Sequence, residues 1–296
     1  MVTAGLKGLG AAITAALAKR DYRVVATTRD PSRRPAPAAD RGRIEVARWD
    51  TQDPETDAAL VHDTLGRFGR LDVLVLNAGP YHAEPLRVAD TPDEVFRAML
   101  DGNLTASFRL LREALPALRQ SGRGRVITMG YVGAGAATGW PDRGAYAAAK
   151  SGLAALTRTL AAEERMYGVT VNMICPSDIR SKDKGRHAPG LDRPVGGDVA
   201  RLVAFLADPA QSHVTGQVME LAFPVGGSAV DAGIAMPVPA RARPVGAEVR
   251  PRGWSRAGRI RNARLAGSRW EYEVEAGELR AWVTEEALGP PGVPEE

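Results

Sequence analysis

The strongest constraint on the fold is an alternation of short apolar strands with amphipathic helical stretches, from the start of the chain to about residue 228. The predicted strands span 22–28, 43–47, 73–76, 125–128, 169–174 and 217–221. The predicted helices lie near 8–20, 55–68, 92–119, 144–167 and 197–207. Such alternation predicts an α/β fold, a doubly wound parallel sheet with helices on both faces, which binds its ligand at the carboxyl ends of the strands.

The chain changes character after about residue 236, where a proline-rich stretch begins. Beyond it, the segments 258–265, 269–275 and 278–283 alternate apolar and polar residues with period two, which predicts an antiparallel meander. The predicted domains are 1–235 for the α/β domain, 236–246 for a linker, 247–288 for a small β-module and 289–296 for a frayed tail.

The predicted β-module is polarised in charge. Its arginines are Arg250, Arg252, Arg256, Arg259, Arg261, Arg264 and Arg269, and its glutamates are Glu271, Glu273, Glu275, Glu278, Glu285 and Glu286. We expect these charges to pair across adjacent strands. The pattern weakly resembles the TOBE-type barrel of some transport ATPases and SH3-like modules. Packing or oligomer contact is favoured over a nucleic-acid role, in which Trp254 and Trp270 would be stacking surfaces.

Composition argues against several classes of protein. No apolar run approaches the roughly 18–20 residues that span a bilayer, so we expect no membrane partner. Cys175 is the only cysteine and the histidines are scattered, so we predict neither an intramolecular disulfide nor a metal site. The N-terminus lacks the layout of a signal peptide, and we expect a cytoplasmic location. The net charge of +4 permits an anionic partner without requiring one.

Tyr146 and Lys150 are four residues apart in a predicted helix, so their side chains project from the same face. A lysine ammonium beside a phenol favours the phenolate, and we expect it to lower the pKa of Tyr146 toward the working pH. Such a tyrosine can act as a general acid or base at a carbonyl oxygen. Because this spacing usually represents a packed ring beside a solvated amine, the interpretation depends on the neighbouring motifs.

The neighbouring motifs fit a nucleotide site. A glycine-rich turn over 3–10 opens the first helix, where backbone amides can approach a phosphate. The full set of motifs, in chain order, is Thr3, Gly8, Gly10, Asp50, Asn77, Ala78, Gly79, Asn103, Tyr146, Lys150, Pro176 and 214–217. In order and spacing this set resembles the short-chain dehydrogenase/reductase family, with its Rossmann-type fold, over roughly residues 2–228.

The resemblance implies hydride transfer between a nicotinamide and a carbonyl or alcohol carbon. Tyr146 would be the proton donor, Lys150 would also hold the nicotinamide ribose, and Asn103 would kink its helix and anchor a proton-relaying water. The expected cofactor contacts are Thr3, Lys7, Gly8, Leu9, Gly10, Arg29, Asp50, Asn77, Ala78, Gly79, Tyr146, Lys150, Pro176 and Ile179. Among them, Asp50 would meet the adenine ring, 77–79 the adenine ribose and 176–179 the nicotinamide.

Charge at the end of the strand at 22–28 indicates the type of nicotinamide cofactor. Proteins of this fold that prefer NAD usually carry an acidic residue there, whereas this strand ends in Thr27 and Thr28 followed by Arg29. Arg29 is placed to meet a 2′-phosphate, and Lys7 could do the same from the glycine-rich turn. Charge-assisted contacts to phosphate are strong, so the sequence favours NADP(H). The alternative is that Arg29 is a solvated loop residue.

The chain departs from the family where a serine is expected upstream of the tyrosine. Alignment of 125–132 places Gly130 and Tyr131 where two serines are common. Tyr131 is the predicted replacement, with its hydroxyl reaching the carbonyl from farther out. Related enoyl reductases use a tyrosine near this place, so C=C reduction by Tyr131 with Tyr146 stays open. The other alternative is that Tyr131 only lines the pocket.

Two further departures concern the N-terminus. Ala4 replaces the first glycine of the family's turn, which is costly only if its φ is positive. Met1, Val2 and Thr3 leave almost nothing of the first strand, so we expect the neighbouring strands to lose backbone partners. We hypothesise that the natural protein begins several residues upstream.

The leading functional hypothesis is an NADP(H)-dependent carbonyl reductase, with 3-oxoacyl compounds as a candidate substrate class. The alternative is a nucleotide-sensing protein of the same fold with little turnover. The segment 177–195 is the predicted substrate lid, and its basic residues are Lys182, Lys184, Arg186 and His187. The helices near 92–119 and 144–167 resemble the pair through which the family forms dimers and tetramers, so we expect a homo-oligomer.

Overall fold

The computed structural model describes residues 1–32, 42–82, 84–177, 196–221, 248–249, 257–266, 269–277, 279–284 and 288. The chain divides into two compact units, Met1–Ile234 and Ala235–Glu296. Several predicted features lie outside the described residues: the lid beyond residue 177, the linker, the tail, Ile179, Trp254, Arg250, Arg252, Arg256, Glu278, Glu285 and Glu286. The domain boundaries stay a prediction.

The first unit alternates strands and helices as the sequence predicts. Its strands are β1 (Val24–Thr28), β2 (Ile44–Arg48), β3 (Val73–Leu76), β4 (Arg125–Met129), β5 (Thr170–Pro176) and β6 (Val218–Leu221). Its helices are α1 (Gly8–Ala18), α2 (Glu55–Phe68), α3 (Asp93–Leu100), α4 (Ala106–Gln120), α5 (Gly144–Glu163) and α6 (Gly196–Ala207). These strands pair in parallel, as β1–β2 and as β3–β4–β5–β6, which confirms the doubly wound α/β prediction.

Strand β3 shows how the helices cover both faces of the sheet. Successive residues of a strand point to opposite faces. Leu74 and Leu76 pack in a cluster with side chains of α2 and α4, whereas Val73 and Val75 pack with side chains of α1 and α6. Each of these four residues is at most 4% exposed. The unbroken apolar sequence of β3 therefore serves two cores at once.

The first three residues join the two groups of strands. Val2 forms parallel bridges with Ala26 of β1 and with Val75 of β3. Its N–H donates to the carbonyl of Val25 at 2.8 Å, and the N–H of Thr3 donates to the carbonyl of Val75 at 3.0 Å. The expectation that the neighbouring strands lose their backbone partners is therefore wrong at this level of the sheet.

The turn that follows is strained at one residue. Ala4 has a φ of +49°, in the left-handed region that an L-residue with a Cβ rarely adopts. The cost expected for this alanine was conditional on a positive φ, and the structure meets that condition.

In the part of the second unit that the structure describes, the strands are antiparallel and lie in the order β10–β9–β8–β7. They are β7 (Glu248–Val249), β8 (Gly258–Ala266), β9 (Arg269–Ala276) and β10 (Leu279–Thr284). The meander is confirmed, although β7 is too short to show a period-two pattern and was missed. Arg261 of β8 forms an ion pair with Glu275 of β9, as the charge pattern predicts.

Helix lengths and hydropathy bear on the membrane question. Within the described residues, no helix is both long and apolar enough to cross a bilayer.

Candidate active site

Tyr146 and Lys150 lie in the first two turns of α5, on one face of the helix. The Lys150 Nζ is 5.7 Å from the centroid of the Tyr146 ring. Lys150 is 3% exposed and forms no ion pair with a carboxylate among the described residues, which is rare for an ammonium. The structure therefore holds the pair together in a desolvated position, as a site for proton transfer requires.

Burial sets the direction of both pKa values. It raises the pKa of Tyr146 above its ordinary value, with smaller contributions from Tyr81, Cys175 and Tyr131 in that order. It lowers the pKa of Lys150 to about 8. The expectation that Lys150 lowers the pKa of Tyr146 is wrong for this structure, because a desolvated lysine loses its charge before the phenol ionises.

Asn103 lies beside the pair in a π-helical turn, Asp101–Thr105, between α3 and α4. Its Nδ2 donates to the carbonyls of Pro80 at 2.9 Å and Met99 at 3.0 Å. Its Oδ1 is buried and has no hydrogen-bond partner among the described residues. A buried oxygen of this kind is where an ordered water binds, and single π-turns are frequent at functional sites.

Gly79, three residues beyond the end of β3, lets Asn103 and Lys150 approach the backbone closely. A Cβ at Gly79 would clash with Asn103 Oδ1 and would lie 3.6 Å from Lys150 Nζ. The lack of a side chain therefore permits this close approach. The structure thus brings together three predicted site residues that are far apart in the chain, which are Gly79, Asn103 and Lys150.

A cavity of about 810 Å³ opens at the carboxyl ends of β1, β2 and β3. Of the predicted cofactor contacts, Lys7, Arg29, Asp50, Ala78 and Gly79 line it. Two basic side chains therefore face a space large enough for the nucleotide half of a dinucleotide. The position agrees with the expectation that ligands of doubly wound sheets bind at the strand ends.

Thr3 and Gly10 contact residues that line this cavity, and Asn77 is hydrogen-bonded to Thr3. The Thr3 Oγ1 accepts the N–H groups of Asn77 and Ala78, both at 2.9 Å, and the Asn77 Nδ2 donates to the Thr3 carbonyl at 3.1 Å. Gly10 packs so closely that a Cβ there would clash with the Ala4 carbonyl.

Five other predicted contacts do not line this cavity: Tyr146 and Lys150 lie in α5, and the remaining three lie at the ends of elements. Gly8 and Leu9 begin α1, and Pro176 ends β5.

Asp30, which lines the same cavity as Arg29, was not among the predicted site residues. Its Oδ1 accepts hydrogen bonds from the backbone N–H of Ser32 at 3.1 Å and from the Ser32 hydroxyl at 2.5 Å. A carboxylate therefore stands one residue beyond the position that indicated the cofactor type, and one of its oxygens is already engaged by the loop.

Tyr131 does not offer a donor to a substrate. Its hydroxyl donates to the Thr138 carbonyl, and the residue is only 5% exposed. At Gly130, a Cβ would lie 2.6 Å from Cys175 Sγ and 2.7 Å from Met173 Sδ, so a serine does not fit there. In this geometry the alternative that Tyr131 only lines the pocket fits better than the predicted replacement of the serine.

Two aromatic residues near Tyr146 were also missed. The Tyr81 ring meets the Tyr146 ring edge-on, with centroids 5.2 Å apart, and the Trp140 centroid lies 6.0 Å from that of Tyr146. The available signal for Tyr81 was its place just past the 77–79 motif at a buried strand end. Trp140 had no comparable signal, because it lies in an irregular loop.

With this geometry established, the comparisons identify the family. Residues 3–221 match the family model described as "Enoyl-(Acyl carrier protein) reductase". The chain belongs to this family of short-chain dehydrogenases/reductases, which are oxidoreductases.

Individual relatives agree with this assignment. The chain is 39% identical over 237 residues to YtkK of Bacillus subtilis, named as an oxidoreductase, covering 74% of this chain and 93% of that protein. It is 31% identical over 235 residues to the 3-oxoacyl-[acyl-carrier-protein] reductase FabG of Vibrio cholerae, covering 75% and 94%. A structure of ElxO with NADP bound matches with a TM-score of 0.66 and 25% identity, covering 74% and 94%.

Proposed function

We propose that the protein is an NADP(H)-dependent reductase of carbonyl compounds. The observation that carries the proposal is the convergence of Tyr146, Lys150 and Asn103 at the strand ends, next to the cavity that Lys7 and Arg29 line. A tyrosine beside a buried amine, which lies against Gly79 of that cavity, is suited to deliver a proton where a hydride is delivered.

In this reaction a nicotinamide cofactor supplies the hydride to the carbonyl carbon. Tyr146 donates its phenolic proton to the carbonyl oxygen, so that the product is the alcohol. Lys150 then passes a proton back to Tyr146, and the orphaned Oδ1 of Asn103 holds a water at the inner end of this path. The raised pKa of Tyr146 keeps its proton in place until the carbonyl oxygen becomes basic.

The choice of NADP(H) over NAD rests on the two basic residues of the cavity. Arg29 follows β1 directly and Lys7 precedes α1, so both can reach a 2′-phosphate. Support also comes from the ElxO structure, which contains NADP. Asp30 is the feature that would favour NAD, because a carboxylate can bind the ribose 2′-hydroxyl.

A 3-oxoacyl thioester is the proposed substrate class, supported by the name of the FabG relative. A second candidate is the reduction of a C=C bond conjugated to a thioester, because the description of the matching family model names an enoyl reductase. The engagement of the Tyr131 hydroxyl with Thr138 argues against it, since that route needs Tyr131 as a donor.

The test is the oxidation of NADPH, followed at 340 nm, with acetoacetyl-CoA, cyclohexanone and crotonyl-CoA. We expect turnover with a ketone and a loss of at least ~10³-fold in Tyr146→Phe, which keeps the ring but has no proton to give. Turnover with crotonyl-CoA alone would favour the enoyl reductase. Tight NADPH binding without oxidation on any substrate, unchanged in Tyr146→Phe, would instead indicate the nucleotide sensor.

A further inference from the structure

Neither of the two positions where a serine is expected offers a free hydroxyl beside Tyr146. Gly130 has no side chain and no space for one, and the Tyr131 proton is already donated to the Thr138 carbonyl. A carbonyl oxygen held only by its proton donor would be poorly oriented, because a second hydrogen bond fixes its direction. Another side chain beside Tyr146 with a free donor could supply this second hydrogen bond.

Tyr81 is placed to be that donor. Its ring meets the Tyr146 ring at 90°, with centroids 5.2 Å apart. This is the shortest centroid separation among the neighbouring rings, which are Tyr81, Tyr131, Trp140 and Tyr146. After burial, Tyr81 has the largest effect on the pKa of Tyr146, as expected if the two phenol oxygens are close. Tyr81 is 50% exposed whereas Tyr131 is 5% exposed, so a ligand can reach the Tyr81 hydroxyl.

Arg143, which directly precedes α5, fixes the position of Tyr81. Its Nε donates to the Tyr81 hydroxyl oxygen at 2.8 Å, and its guanidinium lies 5.3 Å from the ring centroid. The same guanidinium donates to the carbonyls of Glu84 and Asp142, both at 2.9 Å. The arginine is therefore tied to two backbone segments, and it holds the phenol from the oxygen side.

This arrangement leaves the Tyr81 proton available. The hydroxyl oxygen accepts from Arg143, and its own O–H has no acceptor among the residues that the structure describes. A hydroxyl that accepts a charge-assisted hydrogen bond is polarised and becomes a stronger donor. In contrast, the Tyr131 O–H is already donated to the Thr138 carbonyl, and the residue is buried.

We propose that Tyr81 is a catalytic residue that donates a hydrogen bond to the substrate carbonyl oxygen in place of the missing serine, and that Arg143 is its positioning residue. The inference rests on the proposed reductase function. No bond to Tyr81 forms or breaks: Tyr146 transfers its proton, while Tyr81 only stabilises charge that develops on the same oxygen.

The experiment compares three Tyr→Phe variants by steady-state NADPH oxidation, with the ketone that the wild type reduces best. We expect Tyr81→Phe to lower kcat/KM by about 10²-fold, as for the loss of one oxyanion donor. Tyr131→Phe should lower it by less than about 5-fold. Tyr167→Phe is the control, because Tyr167 lies in the segment after α5, where its ring contacts the Arg119 guanidinium. NADPH affinity, measured by fluorescence, shows that each variant is folded.

The role of Arg143 is tested by a double-mutant cycle. With Tyr81 intact, Arg143→Met should lower kcat/KM. In the Tyr81→Phe variant the same change should cause little further loss, because Arg143 acts through the Tyr81 hydroxyl. Arg143→Lys should restore part of the loss. A purely structural arginine would instead give additive losses and weaker NADPH binding.

The experiment distinguishes failure of the Tyr81 inference from failure of the proposed reductase function. If the wild type oxidises NADPH with a ketone and Tyr81→Phe keeps its kcat/KM, this inference is overturned and the proposed function stands. The inference is likewise overturned, and the function retained, if Tyr131→Phe causes the large loss. If the wild type binds NADPH but reduces no ketone, the proposed function fails, and the inference fails with it.

Discussion

At the residue scale, burial makes Tyr146 a proton donor rather than a base. The pKa of Lys150 is about 8 and that of Tyr146 is raised above its ordinary value, so the lysine deprotonates first as the pH rises. A phenol that keeps its proton at neutral pH is suited to the reduction of a carbonyl. A positive charge beside Tyr146 would lower the pKa of its phenol, and the ionised phenol is the form that alcohol oxidation needs.

Ala4 offers the simplest test of backbone strain. Because its φ of +49° disfavours any residue with a Cβ, we expect Ala4→Gly to increase the free energy of unfolding by about 0.5–1 kcal/mol, after the greater freedom of glycine in the unfolded chain is subtracted. Urea unfolding followed by circular dichroism measures this change. Ala12→Gly, in the interior of α1, is the control and should destabilise the protein.

Arg29 tests the cofactor choice. We expect Arg29→Ala to weaken NADPH binding by about 10–100-fold, the loss of one charge-assisted contact, and to change NADH binding by less than about 3-fold. Fluorescence titration of both nucleotides measures the two affinities. Arg20→Ala is the matched control, because Arg20 is an exposed arginine that lines a different cavity. Equal losses for both nucleotides would contradict a 2′-phosphate contact.

At the element scale, a buried ion pair ties the helices to the nucleotide cavity. Asp57 of α2 accepts from Arg109 Nε of α4 at 2.7 Å and from the Trp49 indole N–H at 2.7 Å. Arg109 also donates to the Thr51 carbonyl at 3.0 Å. The loop after β2, which carries Asp50, is therefore held by side chains of two helices as well as by hydrogen bonds within its own segment.

Arg109→Met should reveal this link. The Asp57 side chain is 4% exposed, and among the described residues the variant leaves this carboxylate only the Trp49 indole as a side-chain partner, so we expect a destabilisation of about 2–4 kcal/mol. NADPH affinity should fall several-fold as the Thr51 carbonyl is released. Arg97→Met is the control, because it removes an ion pair with Asp93 whose side chains are 71% and 83% exposed. That change should stay within about 0.5 kcal/mol.

At the scale of the whole molecule, the sheet depends on the first three residues. The terminal ammonium of Met1 donates a hydrogen bond to the Val73 carbonyl at 2.7 Å. Met1, Val25 and Val73 also line a cavity of about 750 Å³. Burial lowers the pKa of this ammonium to about 5, although Asp72 opposes the shift. A charge is therefore forced into the junction between two groups of strands at low pH.

The homo-oligomer stays a prediction.

A 296-residue chain that begins with a free amine at Met1 should become more stable as the pH rises from 5 to 8. Below pH 5 the amine is charged in the folded and unfolded chains and its burial is fully unfavourable, whereas above its ordinary pKa of 8.0 it is neutral in both. We expect a gain of up to about 4 kcal/mol across this window, measured by urea unfolding. Acetylation of the Met1 amine should remove most of the slope. An unchanged slope would mean that the ammonium is solvated.

The sequence by itself determined the layered fold, because each strand and helix carries its own hydrophobic period. It also determined that Tyr146 and Lys150 share a helix face, because four residues span about one turn. The small meander followed from period two in the same way.

Only the tertiary structure decided the parts of the site that depend on contacts between distant segments. The pKa of Tyr146 rises because the surrounding elements desolvate it, and the fate of the Tyr131 proton depends on where the Thr138 carbonyl lies. The pairing of Tyr81 with Arg143 joins residues 62 positions apart. No local period encodes such a contact, because it arises from packing after the elements have formed.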